Sequence, residues 1–327
     1  MEEIKPRKFK FSNFILWIIF LMIALYFFLS SLVEVGVDLI VRLIVRLFGG
    51  ASSSVVFINE YYTPTIGAVI TIILVCLIIK KNRFILRSFL PEGRGKDHKI
   101  RVTEDTYEPS QKNTAAKLLL GLALGFLSNF ACIVCAMLHG DVAFYFSFSA
   151  AFIPTLLYAL LMVFIQSASE ELWCRGFMYE RICIHYPVWV AVLANGLFFG
   201  LLHIFNDGVS VLAIVSIAVC GLSYSLVRWY TGSIWVAIGL HTMWNFTQNF
   251  IFSLPNSGLV SEFSVFGLEA AKGTNNLIYN YDFGVEAALP AIFADLLLAA
   301  VVLILAKKNG RLGELKMSYE KNPRLRT

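Results

Sequence analysis

Charge is what this sequence has least of. Only 15% of its 327 residues are Asp, Glu, Lys or Arg, against about 25% in an average soluble domain. Hydrophobic residues make up 58%, more apolar surface than a soluble globule can hide, so the composition identifies a polytopic membrane protein. Disulfide chemistry is also missing. The six cysteines, Cys76, Cys132, Cys135, Cys174, Cys183 and Cys220, lie inside or beside apolar stretches, where Cys behaves as a small hydrophobe, and this excludes a secreted disulfide scaffold. Cys132 and Cys135 make a C-x-x-C, but no second pair accompanies it and it sits within the apolar run Leu118 to Leu138; packing explains it better than redox or zinc chemistry. The 27 Lys and Arg residues outnumber the 22 Asp and Glu, yet they cluster between apolar segments instead of forming a basic face, so no nucleic-acid partner is expected. There is no internal repeat and no soluble domain.

What is present is a series of apolar windows, each near the roughly 20 residues that a helix needs to cross a bilayer core. They run Phe14 to Leu32, Tyr61 to Ile79, Leu118 to Leu138, Phe144 to Ala168, Val188 to Phe205, Val209 to Val227, Ser233 to Phe252 and Val285 to Ala306. The expected fold class is therefore all-α, a polytopic membrane helix bundle of about eight transmembrane helices. The first window is too long for a signal-peptide core and lacks a small-x-small cleavage site after it, so it is expected to remain as a span. With both termini cytoplasmic, the N-terminal Lys5, Arg7, Lys8 and Lys10, the loop Lys80 to Lys117, Arg175, Arg181, Arg228 and the tail from Lys307 all fall on the inner face, leaving only Arg42, Arg46 and Lys272 outside. Within Val33 to Phe48, Glu34, Asp38, Arg42 and Arg46 recur every fourth residue, which predicts an amphipathic helix lying at the interface.

Ionisable residues inside membrane helices are expensive and mark function or structural pairing. Here they concentrate in the second half of the chain. In Glu170-Glu171-Leu-Trp-Cys-Arg175 a helix places Glu171 and Arg175 on one face, able to pair, and turns Glu170 about 100° away. Phe199 and His203 share a face four residues apart, as do His241 and Asn245. Glu170, His203, His241 and Asn245 together offer a base, two imidazoles and an amide donor, the equipment for activating water and holding the oxyanion of a tetrahedral intermediate. Glu170, His203 and His241 are also a possible zinc set, two His and one Glu with water in the fourth position, although no H-E-x-x-H is present. Water activated by Glu170 ranks first and a metal site second.

The ordered motifs E-E-x-x-x-R (Glu170, Glu171, Arg175), F-x-x-x-H (Phe199, His203) and H-x-x-x-N (His241, Asn245) resemble those of the CAAX-protease and bacteriocin-processing (CPBP, or Abi) family of intramembrane proteases. Each motif alone is weak, but three in order, each on its own apolar helix, are specific. The resemblance spans Ser167 to Phe246. It implies a membrane endopeptidase, CAAX prenyl protease-like, acting on membrane-associated or lipidated peptide or protein substrates. It assigns Glu170 as the water-activating acid, His203 and His241 as catalytic or metal-binding imidazoles and Asn245 as the oxyanion donor, with Glu171, Arg175 and Phe199 supporting them. With the apolar windows and charged loops, the expected organisation is an N-terminal region over 1–113 with two spans, the amphipathic helix and a basic loop, a protease core over 114–306 with its motifs within 167–246, and a basic tail over 307–327. The implied location is a bacterial cell membrane, as a multi-pass protein.

The competing readings are a transporter that uses the same buried charges as an ion path, and a non-catalytic immunity or partner protein retaining the fold. A transporter of the inverted-repeat type would show matched broken segments in two halves, and none is found. Trp173 and Trp244 read as interface anchors, and Asp295 is an intramembrane acid without an assigned role. One tension concerns depth. If the fifth span starts after Pro187, His203 lies about 24 Å along it, out of level with a Glu170 at the end of its own helix. The resolution expected is that the fourth helix begins later, near Pro154, and runs past Glu170 to about His185.

Overall fold

The computed structural model describes residues 113–318 except 262, together with isolated residues at 35, 36, 39, 43, 67, 69 and 73. The chain divides into two units, 1–71 and 72–327. In the first, Val35, Gly36, Leu39 and Leu43 are helical, and Val35, Leu39 and Leu43 are exposed; they lie within the expected amphipathic segment, whose charged residues fall outside the described residues. The window Phe14 to Leu32, most of Tyr61 to Ile79, the basic loop to residue 112 and the tail from 319 also lie outside them.

In the second unit α1 (Thr114–His139) ends where Gly140 takes a left-handed conformation at φ 87°. The Gly140 and Asp141 amides return to Met137 and Ala136 carbonyls at 3.0 Å each, closing the helix end as glycine does best. The chain then enters β1 (Val142–Phe146), which pairs antiparallel with β2 (Phe266–Ala270), Phe144 opposite Leu268. The expected all-α fold is, among the described residues, mostly helical with one two-stranded sheet, and the window expected to open a helix at Phe144 opens as strand. Phe144, Phe146 and Phe148 alternate along it, the period of two that suits a sheet. Phe144 packs edge-on against Phe252, with centroids 5.2 Å apart, in a core with Ile133, Val142, Trp244, Leu254 and Tyr279.

Helix α2 (Ile153–Glu171) starts with Pro154 in its first turn, where the missing N–H costs nothing. It continues through a π-helical segment, Leu172–Met178, into α3 (Tyr179–His185), a nearly unbroken apolar helix from Ala150 to Cys183. The chain reverses at Tyr186 and Pro187 into α4 (Val188–Leu202). Glu170 stands 16 residues before Tyr186 and His203 stands 16 after Pro187, so both lie about 24 Å from the turn at 1.5 Å per residue. The depth tension disappears, as the late start at Pro154 requires.

The bundle is completed by α5 (Val211–Thr231), α6 (Ile234–Phe246, extended by a π turn over Thr247–Ile251) and α7 (Leu289–Lys308). Ser210 and Ser233 cap α5 and α6 by accepting the Ala213 and Trp235 amides. Among the described residues four helices are long and apolar enough to cross a membrane: Thr114–His139, Ala150–Cys183, Val211–Thr231 and Leu289–Lys308. The windows at 188–205 and 233–252 become the 15-residue α4 and the 13-residue α6. Helices α1 and α6 meet most closely at Gly121, Gly125 and Gly239, where an added Cβ would run into the facing backbone of Val236, Leu240 and Leu118. Without a hydrophobic driving force between helices in lipid, such close backbone approach is what holds a pair together.

Candidate active site

Glu170 and Glu171 close α2, Arg175 follows in the π-helical segment, Phe199 and His203 end α4, and His241 and Asn245 share a face of α6. The first interaction expected is present. Arg175 Nη1 donates to Glu171 Oε1 at 2.8 Å, and both side chains are fully buried. Arg175 Nη2 also donates to the Gly221 carbonyl at 3.2 Å, and its guanidinium lies over the Phe199 ring, 4.3 Å from the centroid. Phe199 is buried and presents its ring edge-on to both imidazoles, His203 at 5.0 Å and His241 at 5.8 Å. It is a wall shared by the three polar motifs.

The same Glu171 oxygen that takes the Arg175 bond lies 3.1 Å from His241 Nδ1. Sequence spacing assigned Glu171 to Arg175 alone; in the structure it serves both. A carboxylate only accepts, so His241 Nδ1 carries the proton. His203 Nδ1 lies 2.9 Å from the Phe199 carbonyl, another acceptor, and it too carries the proton there. Each imidazole therefore has its Nδ1 occupied and its Nε2 free for chemistry.

His241 Nε2 faces Glu170 Oε2 at 3.9 Å. Glu170 Oε1 accepts a long hydrogen bond of 3.4 Å from Gln166, one turn earlier, while Oε2 is buried with no hydrogen-bond partner among the described residues. Each acid keeps one buried oxygen without a hydrogen-bond partner among the described residues, but they are differently employed: Glu171 takes two donors at Oε1, and Glu170 aims its free oxygen at an imidazole. Such an orphan acceptor is costly in a low dielectric unless function uses it.

Asn245 is buried, and its Oδ1 accepts from Asn256 Nδ2 at 3.2 Å. The second hydrogen of that Asn256 amide goes to Glu286 Oε2 at 3.3 Å. Glu286, in a short 3₁₀ turn (Val285–Ala287) just ahead of α7, also accepts from the Ser257 amide and, at 3.1 Å, from its hydroxyl. Burial pushes the Glu286 carboxyl up to about 7, against the pull of the Ser257 donors. Neither Asn256 nor Glu286 was singled out from sequence; the available signal was an acid at the very edge of an apolar run. Trp173 and Trp244 are buried in the protein and do not sit as interface anchors. Asp295 is buried, and its carbonyl accepts from Ser223 Oγ at 2.7 Å.

Zinc takes imidazole and carboxylate donors, and both free Nε2 atoms have the right chemistry for it. Among the described residues, however, no three His, Cys, Asp or Glu side chains come together as a group able to hold an ion. Glu170, His203 and His241 do not fit the expected set in this arrangement.

Residues 151–247 match the family described as Rce1-like, type II CAAX prenyl endopeptidase Rce1-like. None of the curated proteins compared with the chain matches it. Glu170, Glu171, Arg175, Phe199, His203, His241 and Asn245 all fall inside 151–247, the segment that is similar to the Rce1-like CAAX prenyl endopeptidases.

Proposed function

We propose that the chain is an intramembrane endopeptidase that hydrolyses peptide bonds of membrane-associated or lipidated substrates with water activated by Glu170. The observation that carries the reading is the buried, unpartnered Glu170 Oε2 facing His241 Nε2. A general base needs a free lone pair within reach of the proton it abstracts, and neighbours that keep it from being spent on a structural bond. Glu171 takes the structural duty instead.

In the proposed sequence a water donates its proton to Glu170 Oε2 as its oxygen attacks the scissile carbonyl carbon. The water's other hydrogen is accepted by an imidazole Nε2, and the rings of His203 and His241 are held for this by the Phe199 carbonyl and by Glu171. The carbonyl oxygen becomes an oxyanion and accepts from Asn245 Nδ2, because Asn245 Oδ1 is already occupied by Asn256. Collapse of the intermediate breaks the C–N bond, and the proton held on Glu170 passes to the leaving amine. The assay is cleavage of a labelled, lipidated peptide by purified protein. Glu170→Gln should lose at least about 10²-fold in turnover. Turnover unchanged in that variant would overturn the assignment.

A further inference from the structure

We propose that Glu286 is a positioning residue for Asn245, setting through the Asn256 amide which end of Asn245 faces the reacting carbonyl; the inference rests on the protease reading above. A buried carboxamide can present either its oxygen or its nitrogen to a site, and only the nitrogen can donate to an oxyanion. Here the choice is made at a distance. When ionised, the Glu286 carboxylate only accepts, so the amide facing it must show Nδ2, and Asn256 does so at 3.3 Å. The other hydrogen of that same nitrogen then points at Asn245, which must answer with Oδ1, as it does at 3.2 Å. Asn245 Nδ2 is left as the end that faces away from Asn256.

The turn that carries Asn256 is fixed from several sides. Ser257 donates to Glu286 through both its amide and its hydroxyl. Asn206, three residues beyond His203, donates to the Ser257 carbonyl at 3.3 Å. Glu286 thereby holds the segment that joins the end of the His203 helix to the Asn245 face of α6.

An isosteric change separates orientation from packing. Glu286→Gln keeps the volume but replaces one acceptor oxygen by a donor, which must oppose either the Ser257 amide or the Asn256 amide. If it opposes Asn256, that amide turns over, Asn245 follows, and an oxygen faces the oxyanion. Removal of one oxyanion donor costs about 10²–10³-fold in kcat, and a loss of about 10²-fold with little change in KM is expected for Glu286→Gln, because the contact forms only in the transition state. Glu286→Asp, which keeps the carboxylate, should recover part of it.

The decisive measurement is a double-mutant cycle: in an Asn245→Ala background, Glu286→Gln should add less than about twofold, since both act through one hydrogen bond. A full further loss in that background overturns the proposal. Selective labelling of asparagine side-chain amides with ¹⁵N, with Asn245 assigned by substitution, reads the orientation without turnover. Glu286→Gln should shift the Asn245 resonances, and unmoved resonances overturn the proposal even if activity falls. Absence of Glu170-dependent turnover in the wild type would remove the protease reading while this second measurement still decides whether Glu286 orients Asn245. If Glu286→Gln does not fold, Asn256→Ala replaces it in both measurements with the same expected outcomes.

Discussion

The adjacent acids Glu170 and Glu171 should fail in opposite ways when each is changed to glutamine. Glu171→Gln keeps an oxygen that can accept from Arg175 and His241, but it removes the charge that compensates a fully buried guanidinium. It also places an amide nitrogen where Glu171 Oε2 is buried without a hydrogen-bond partner among the described residues. Breaking a buried ion pair by removing one partner costs about 3–5 kcal/mol. The Gly221 carbonyl and the Phe199 ring remain against Arg175, which favours the lower end. For a domain of about 200 residues, 3 kcal/mol lowers Tm by about 6–12 °C.

Glu170→Gln removes no such compensation. Its Oε2 is an unpartnered acceptor, so neutralising it should leave Tm unchanged or raise it slightly, the usual relation between a strained functional group and stability. A fluorogenic thiol dye reads unfolding as signal added to that of exposed Cys135, because Cys132 and Cys174 are buried thiols. Turnover of the labelled lipidated peptide is then expressed per folded molecule. The expected pattern is a stable, inactive Glu170→Gln and an unstable Glu171→Gln with partial activity, since His241 keeps a hydrogen bond but loses its carboxylate. A Glu171→Gln protein that melts with the wild type yet is inactive, beside a Glu170→Gln protein that turns over, would reverse the roles.

Three further outcomes are expected. Gly125→Val on α1 should push into the Leu240 backbone of α6 and cost about 1–3 kcal/mol or more by overpacking, whereas Gly313→Ala, with nothing within 4 Å, should stay within about 0.5 kcal/mol; equal melting of the two would remove the close α1–α6 contact as a stabilising feature. Chelation with phenanthroline should leave Tm in place, because helix packing already holds the three polar motifs together; a large drop restored by zinc would return the Glu170, His203 and His241 set as a metal site. The distribution of Lys and Arg predicts both termini on the cytoplasmic face, so a single cysteine near Lys321 on a cysteine-free background should be unreactive to an impermeant reagent in intact cells, and labelling there would refute the topology.

What could be read from the chain alone divides along the range of the interactions. The pairing of Glu171 with Arg175 follows from a four-residue step on one helix, and lipid forces the apolar windows to be helical because no water satisfies a bare backbone. The strand Val142–Phe146 was hidden by the same logic: a scan by run length merges it with the helix behind it, although its aromatic residues alternate with a period of two. Its partner lies more than a hundred residues away, at Phe266–Ala270, and no local pattern announces that.

The site shows the same division. His241 reaches Glu171 across 70 residues of sequence, and Asn256 meets Glu286 across 30. Neither distance is a helical period. Asn256 reads as turn chemistry in Pro255-Asn256-Ser257-Gly258, and Glu286 reads as one acid diluted in a hydrophobic window. Where the apolar run begins at Val285 but the helix only at Leu289, the intervening turn lets the acid face inward to Ser257 and Asn256 instead of out along a membrane helix. Hydropathy averages over that turn, while the hydrogen bonds that fix Asn245 depend on it.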